Sequence, residues 1–133
     1  MKNKKGFTLI ELLVVIAIIG LLATLSVIAL NTARMKARDA RRVSDVKQMQ
    51  TALEMYFDKF YKYPTSTADL STAGFMSSIP TNPSPQNDSG CTGFADYVYA
   101  QVSSGASYTL RYCLSTQTMS TGNVATATPA GIR

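Results

Sequence analysis

Residues 1–30 read MKNKKGFTLIELLVVIAIIGLLATLSVIAL, and the reading of this stretch decides the fold. Three lysines (Lys2, Lys4, Lys5) and Gly6 precede 24 residues, Phe7 to Leu30, whose one charge is Glu11. A helix rises about 1.5 Å per residue, so the run reaches roughly 36 Å, against a hydrocarbon core of about 30 Å. Backbone groups in lipid must pair within their own segment, which makes a helix the form for an isolated span. The stretch reads as a membrane-inserting helix, and its carboxylate needs an account. At mid-bilayer a charged side chain costs about 2.5–3.5 kcal/mol on insertion scales, and less near the interface.

Three readings compete. A secretory signal has an apolar region of only about 7–15 residues before a small-residue cleavage site; Val27-Ile28-Ala29 imitates such a site, but the run is too long and holds an acid. A plain anchor has the length, yet Glu11 penalises it. An intramembrane carboxylate is by default a functional group in need of a named partner, and the third reading supplies one. Lys5-Gly6-Phe7-Thr8-Leu9-Ile10-Glu11, followed by LLVVIAIIG to Gly20, resembles the N-terminus of type IV pilins and their pseudopilin relatives.

That resemblance implies a membrane-embedded prepilin peptidase that cuts between Gly6 and Phe7 on the cytoplasmic side and methylates the new amine of Phe7. It implies storage in the cytoplasmic (inner) membrane as a single-pass protein with its N-terminus inside. From there an assembly platform and ATPase motor add the subunit to a homopolymer, an extracellular or periplasmic filament. Glu11 falls where the family's key glutamate meets the amine of a neighbouring subunit in the filament core. The physics agrees, because an unpaired carboxylate in a low-dielectric stem is unfavourable and an opposite charge nearby relieves it.

The fold class implied is α+β, a long helical stem packed on a small antiparallel sheet. Its expected divisions are a leader at 1–6, a membrane or filament-core helix at 7–30, a continuing amphipathic helix at 31–63 and a head at 64–133. About a hundred residues beyond the apolar run suffice for a modest core. The formal charge of +5 is partly the leader's: three of the 13 basic side chains leave with it, and ten then face eight acidic ones. The basic balance is therefore weak support for nucleic acid. Basic residues flank the span on both sides, and counting alone favours a cytoplasmic C-terminus. The family's orientation, with two cysteines suited to an oxidising exterior, places the leader inside instead.

Past Leu30 the periodicity continues. Val43, Val46, Met49, Leu53, Tyr56 and Phe60 recur at steps of three and four on one helix face, with polar residues between them. The joint Arg34 to Arg42 reads either as a solvated or headgroup-facing surface, or as arginines that pair with acids of adjacent subunits, Asp39 and Asp45 being candidates. Many type IV pilins carry a proline late in the apolar run, and this chain has none there. Gly20 is the weakest helical position, costing about 1 kcal/mol against alanine; it reads equally as a melting point or as a close-approach residue.

Pro64 disfavours helix at Tyr63 and ends the stem. Leu70 to Ile79 reads as one or two helical turns, and the prolines at 80, 83 and 85 with Asn82 and Asn87 to Gly90 as loop. Asp96–Val102 and Ser107–Leu114 are tyrosine-rich strands about the hairpin loop 103–106, with Tyr108, Leu110, Tyr112 and Leu114 on one face. A third strand is expected from about Thr118 to Thr126. Cys91 and Cys113 read as one disulfide of an exported domain, with two free buried thiols as the alternative; a metal site lacks the other ligands.

Catalytic chemistry finds no support: the chain has no histidine, no phosphate loop and no paired acids at a cleft, and no cofactor is expected. After Asp96 no acid occurs. This sets the chain apart from major pseudopilins of type II secretion, which resemblance credits with a calcium site built from late acids, since hard cations need several oxygen ligands. Seven tyrosines suit stacking on single-stranded DNA, though strand and core roles explain them as well. The function expected is structural: a filament subunit for adhesion, motility or DNA uptake. The alternatives are a type II secretion pseudopilin and a monomeric membrane-anchored binding module.

Overall fold

The computed structural model describes residues 6–86, 91, 94, 96–116 and 124–132. The elements in order are helix α1 (Leu9–Phe60), helix α2 (Ala68–Thr72), strand β1 (Val98–Val102), a 3-10 turn (Ser103–Gly105), and strands β2 (Ser107–Cys113), β3 (Val124–Thr128) and β4 (Gly131–Ile132). The chain divides into two compact units, Met1–Arg34 and Met35–Arg133. Long helix and small antiparallel sheet make this the α+β architecture that the sequence implies.

The first unit holds the apolar part of α1. Its side chains have no protein to cover them, and Leu9, Ile10, Leu21 and Ile28 are each at least 65% exposed. A helix this apolar on every side is one that lipid or other helices must cover. It is long and apolar enough to cross a membrane.

In the second unit α1 packs one stripe against the sheet. Val46, Met49 and Leu53 are buried as the periodicity requires, joined by Ala52, while Val43 and Tyr56 are partly covered. Phe60, the last residue of the predicted face, is 41% exposed and packs edge-on to Phe75. The helix closes there, three residues short of the expected Tyr63. The Tyr61 N–H makes the last helical bond, 2.7 Å to the Phe57 carbonyl, and Tyr61 itself takes a left-handed φ of 54°. The Tyr63 N–H turns away to the Gly105 carbonyl at 2.8 Å, so a tertiary bond replaces the next turn. Gly105 must be glycine: its φ is +96° and a Cβ would lie 3.0 Å from Lys62 Cβ.

The predicted helical turns over 70–79 appear two residues early and stop at Thr72, with Gly74 beyond them at φ +80°. The sheet is an antiparallel meander in the order β1-β2-β3-β4, with Ala100 opposite Thr109 and Leu110 opposite Ala127. Strand β2 turns Tyr108, Leu110 and Tyr112 into the core as alternation demands. The third strand differs from its expected bounds. It is described from Val124 to Thr128, two residues past the expected end; residues 118–123 of that expectation lie outside the described residues. Ala125 and Ala127 are fully buried, and Gly131 at φ +123° turns the chain back into β4.

Cys91 and Cys113 form a disulfide, Cα–Cα 5.6 Å, with both residues buried. It ties the segment before β1 to the end of β2. Replacing both cysteines by alanine is expected to lower stability by about 3 kcal/mol on the chain-entropy model for a loop of this length. Urea titration of the full chain in detergent checks the value; an unchanged midpoint would contradict it.

Candidate functional site

The N-terminal motif is built around the first turn of α1. Thr8 is the residue before the helix and Glu11 the third within it. The Thr8 backbone N–H donates to Glu11 Oε2 at 2.9 Å, the Thr8 hydroxyl donates to the same oxygen at 2.6 Å, and the Glu11 N–H donates to Thr8 Oγ1 at 3.3 Å. This is a reciprocal capping box, which satisfies two helix-end donors that would otherwise be orphaned. The sequence signal was the spacing Thr-x-x-Glu ahead of an apolar run, and the expectation of a partnerless acid overlooked it. Glu11 already has hydrogen-bond donors in its own chain; among the described residues, no cation is paired with it.

Around that carboxylate the surface is apolar, a shallow concavity lined by Phe7, Ile10, Val14 and Val15. Phe7 is 79% exposed. Among the described residues, Gly6 has open space where a Cβ would stand. Gly20 likewise has nothing within 4 Å of a built Cβ.

A second polar constellation lies where α1 meets the head. Asp39, Arg42 and Asn82 are buried, with Arg42 1% exposed. Arg42 donates from Nη1 to Asp39 Oδ1 at 2.7 Å and from Nε to Asn82 Oδ1 at 2.8 Å. Asp39 Oδ1 also accepts from the backbone and hydroxyl of Ser115, both at 3.0 Å. Its Oδ2 accepts from those of Thr116 at 2.8 and 2.6 Å. Asn82 in turn donates to the Phe94 carbonyl at 3.2 Å and to Asp96 at 3.3 Å. Burial alone would raise the Asp39 carboxyl; the bonds from Thr116, Ser115 and Arg42 outweigh it and hold the carboxyl below its ordinary value of 3.8.

One helical turn of α1 thus grips the segment before β1 and the one after β2. Neighbouring Asp45 accepts from the Tyr97 hydroxyl at 2.8 Å and lies 4.0 Å from Arg41 Nε. Burial, then the bond to Asp45, raises the Tyr97 hydroxyl above its ordinary value. Of the two expectations for the joint 34–42, a solvated or headgroup-facing surface fits Arg34, Lys36 and Arg41, which are exposed. The joint is not wholly a solvated face, because Asp39 and Arg42 are interior. Asp39 and Asp45 do not wait for neighbouring subunits, because the head of their own chain has taken them.

Among the described residues no group of three or more His, Cys, Asp or Glu is placed to hold a metal ion.

The family model described as "Prokaryotic N-terminal methylation motif" matches residues 1–27. Type II secretion system core protein G of Vibrio cholerae is 37% identical over 87 residues, 65% of this chain and 58% of the relative. Its Escherichia coli K12 namesake is 38% identical over 78 residues, 59% and 54%. The type IV wide pilus major component PilA4 of Thermus thermophilus is 40% identical over 82 residues, 62% of each. The chain therefore matches between half and two thirds of the length of these relatives.

Proposed function

We propose that this chain, a relative of the pilins and pseudopilins, is a structural subunit of a type IV pilus-like filament, polymerised through the apolar part of α1. The observation that carries the reading is Glu11: one carboxylate, hydrogen-bonded by Thr8 and with no cation paired to it among the described residues, in an exposed apolar helix. Prepilin peptidase cuts between Gly6 and Phe7, and the N-methylated amine of Phe7 on one copy supplies a positive charge to Glu11 on the next. Before assembly the subunit is held in the cytoplasmic membrane with its N-terminus inside; afterwards it stands in an extracellular or periplasmic filament. Adhesion, motility or DNA uptake is the service such a filament gives, and the subunit performs no chemistry. The covalent staple Cys91–Cys113 suits a head exposed outside the cell.

A second reading, a pseudopilin of a type II secretion system, is favoured by the core protein G relatives. The want of acidic residues after Asp96 weighs against it. A retraction motor or a secretin-type outer pore encoded beside this chain separates pilus from piston. Electron microscopy of sheared cell-surface material, with mass spectrometry of the filament N-terminus, tests the main reading. The expected result is a polymer whose chains begin at Phe7 carrying one added methyl group. Mature chains that begin at Met1, or beyond Leu30, would overturn it.

A further inference from the structure

We infer that the cations following the membrane segment form a collar for the headgroups of anionic phospholipid, and that the folded head creates this collar by drawing the acids of the same stretch inward. The inference rests on the reading of residues 7–30 as a membrane segment. Residues 35–47, MKARDARRVSDVK, carry five basic and two acidic side chains and look mixed in sequence. In the structure Asp39, Asp45 and Arg42 are buried, Asp39 by five hydrogen bonds and Asp45 under Tyr97. What this stretch presents outward is Lys36, Arg41 and Lys47, with Arg38 half-buried. The next exposed acid along α1 is Glu54. Folding thus draws both acids and Arg42 inward and leaves the outward side chains cationic, with Arg41 among them beside an acid, 4.0 Å from Asp45.

Two arguments name the occupant. Lys36, Arg38 and Arg41 follow Leu30, the last residue of the apolar run, by six, eight and eleven positions, where a span passes into headgroups. Screening confines such attraction to about 8–10 Å at physiological salt, so exposed Arg34, four positions past Leu30, and Lys36 lead, and Lys47, seventeen positions on, contributes little. A second copy is the poorer partner. Its Asp39 and Asp45 are buried in the same way, so in this stretch identical neighbours offer each other only cations. Anionic headgroups neutralise what a second copy would repel.

The test uses the full chain reconstituted into vesicles of phosphatidylcholine with a minority of phosphatidylglycerol, followed by mild extraction and mass spectrometry of the lipid retained per chain. Wild type is expected to enrich phosphatidylglycerol, and the enrichment to fade in high salt. Each cation close to the surface is worth about fivefold in binding, so the double variant Lys36→Gln, Arg41→Gln should lose at least about fivefold. Lys47→Gln, the same change of charge farther along α1, should change it by less than about twofold. Equal enrichment in wild type and the double variant would overturn the inference, as would an equal loss in Lys47→Gln. So would cross-links from Lys36 to carboxylates of another copy with lipid retention unchanged. A chain that fails to float with the vesicles would instead overturn the membrane reading itself, so the two failures are distinguishable.

Discussion

Asp39→Ala is expected to cost the head about 3–5 kcal/mol, because it takes the Asp39 carboxylate, 2.7 Å away, from the buried Arg42 guanidinium. Arg42 is 1% exposed and cannot reach water without opening the packing between α1 and the sheet. The same change removes the acceptor for Ser115 and Thr116, so the segment after β2 loosens with it. For a domain of this size the loss corresponds to a melting temperature lower by more than about 10 °C. Near-ultraviolet circular dichroism of the buried tyrosines, on the full chain in detergent, reads it. Adding Arg42→Met to Asp39→Ala should restore part of the loss, since an apolar side chain of similar reach needs no partner. A double variant no more stable than the single one would show that the buried charge is not the cause.

The sign of the pH dependence follows from the same carboxyl. Its native pKa lies below the ordinary 3.8, so the folded state binds the proton less readily than the unfolded chain does. The stabilisation is fully present above the ordinary value and is lost as pH falls through the lowered one. The stability gap between wild type and Asp39→Asn should therefore be flat near neutrality and narrow once the pH drops below 3.8. A gap that widened with acid would contradict the assignment.

Glu11→Ala is expected to leave membrane insertion intact while reducing filament yield more than about tenfold, the factor that corresponds to 1.4 kcal/mol; a desolvated ion pair that loses one partner loses more than that. Insertion survives because the substitution makes the span more apolar. Alanine, however, removes the helix cap as well as the charge. Glu11→Gln separates them, because glutamine at this position can still complete the capping box with Thr8 but carries no charge. If the counter-charge on the next copy is what Glu11 serves, Glu11→Gln fails in assembly as Glu11→Ala does. Normal filaments from Glu11→Gln would reduce Glu11 to a capping residue and leave polymerisation to the apolar surface alone. Sheared-filament yield at matched membrane levels of the chain distinguishes these outcomes.

Much of this architecture was legible because it is local in the chain. An uninterrupted apolar run needs no tertiary partner to be helical, and the period of Val46, Met49 and Leu53 announces its buried stripe. Alternation in SYTLRYC marks which face of β2 turns inward, and the chain's two cysteines have each other to meet. The capping box is legible too, in Thr8 and Glu11 three apart.

What sequence alone determined, then, is what neighbours along the chain decide between themselves: the apolar helix, its cap, the stripe and the hairpin. The tertiary structure decided the rest, because it depends on groups distant in the chain. Tyr61 leaves helical geometry because the Tyr63 N–H finds Gly105, 42 residues away. Asp39 and Arg42 sit three apart in a run that reads as solvated, and only the arrival of Asn82, Ser115 and Thr116, 40 to 77 positions from them, makes them interior. A charge is drawn inside a protein only where enough donors converge on it to replace water, and that convergence belongs to the fold.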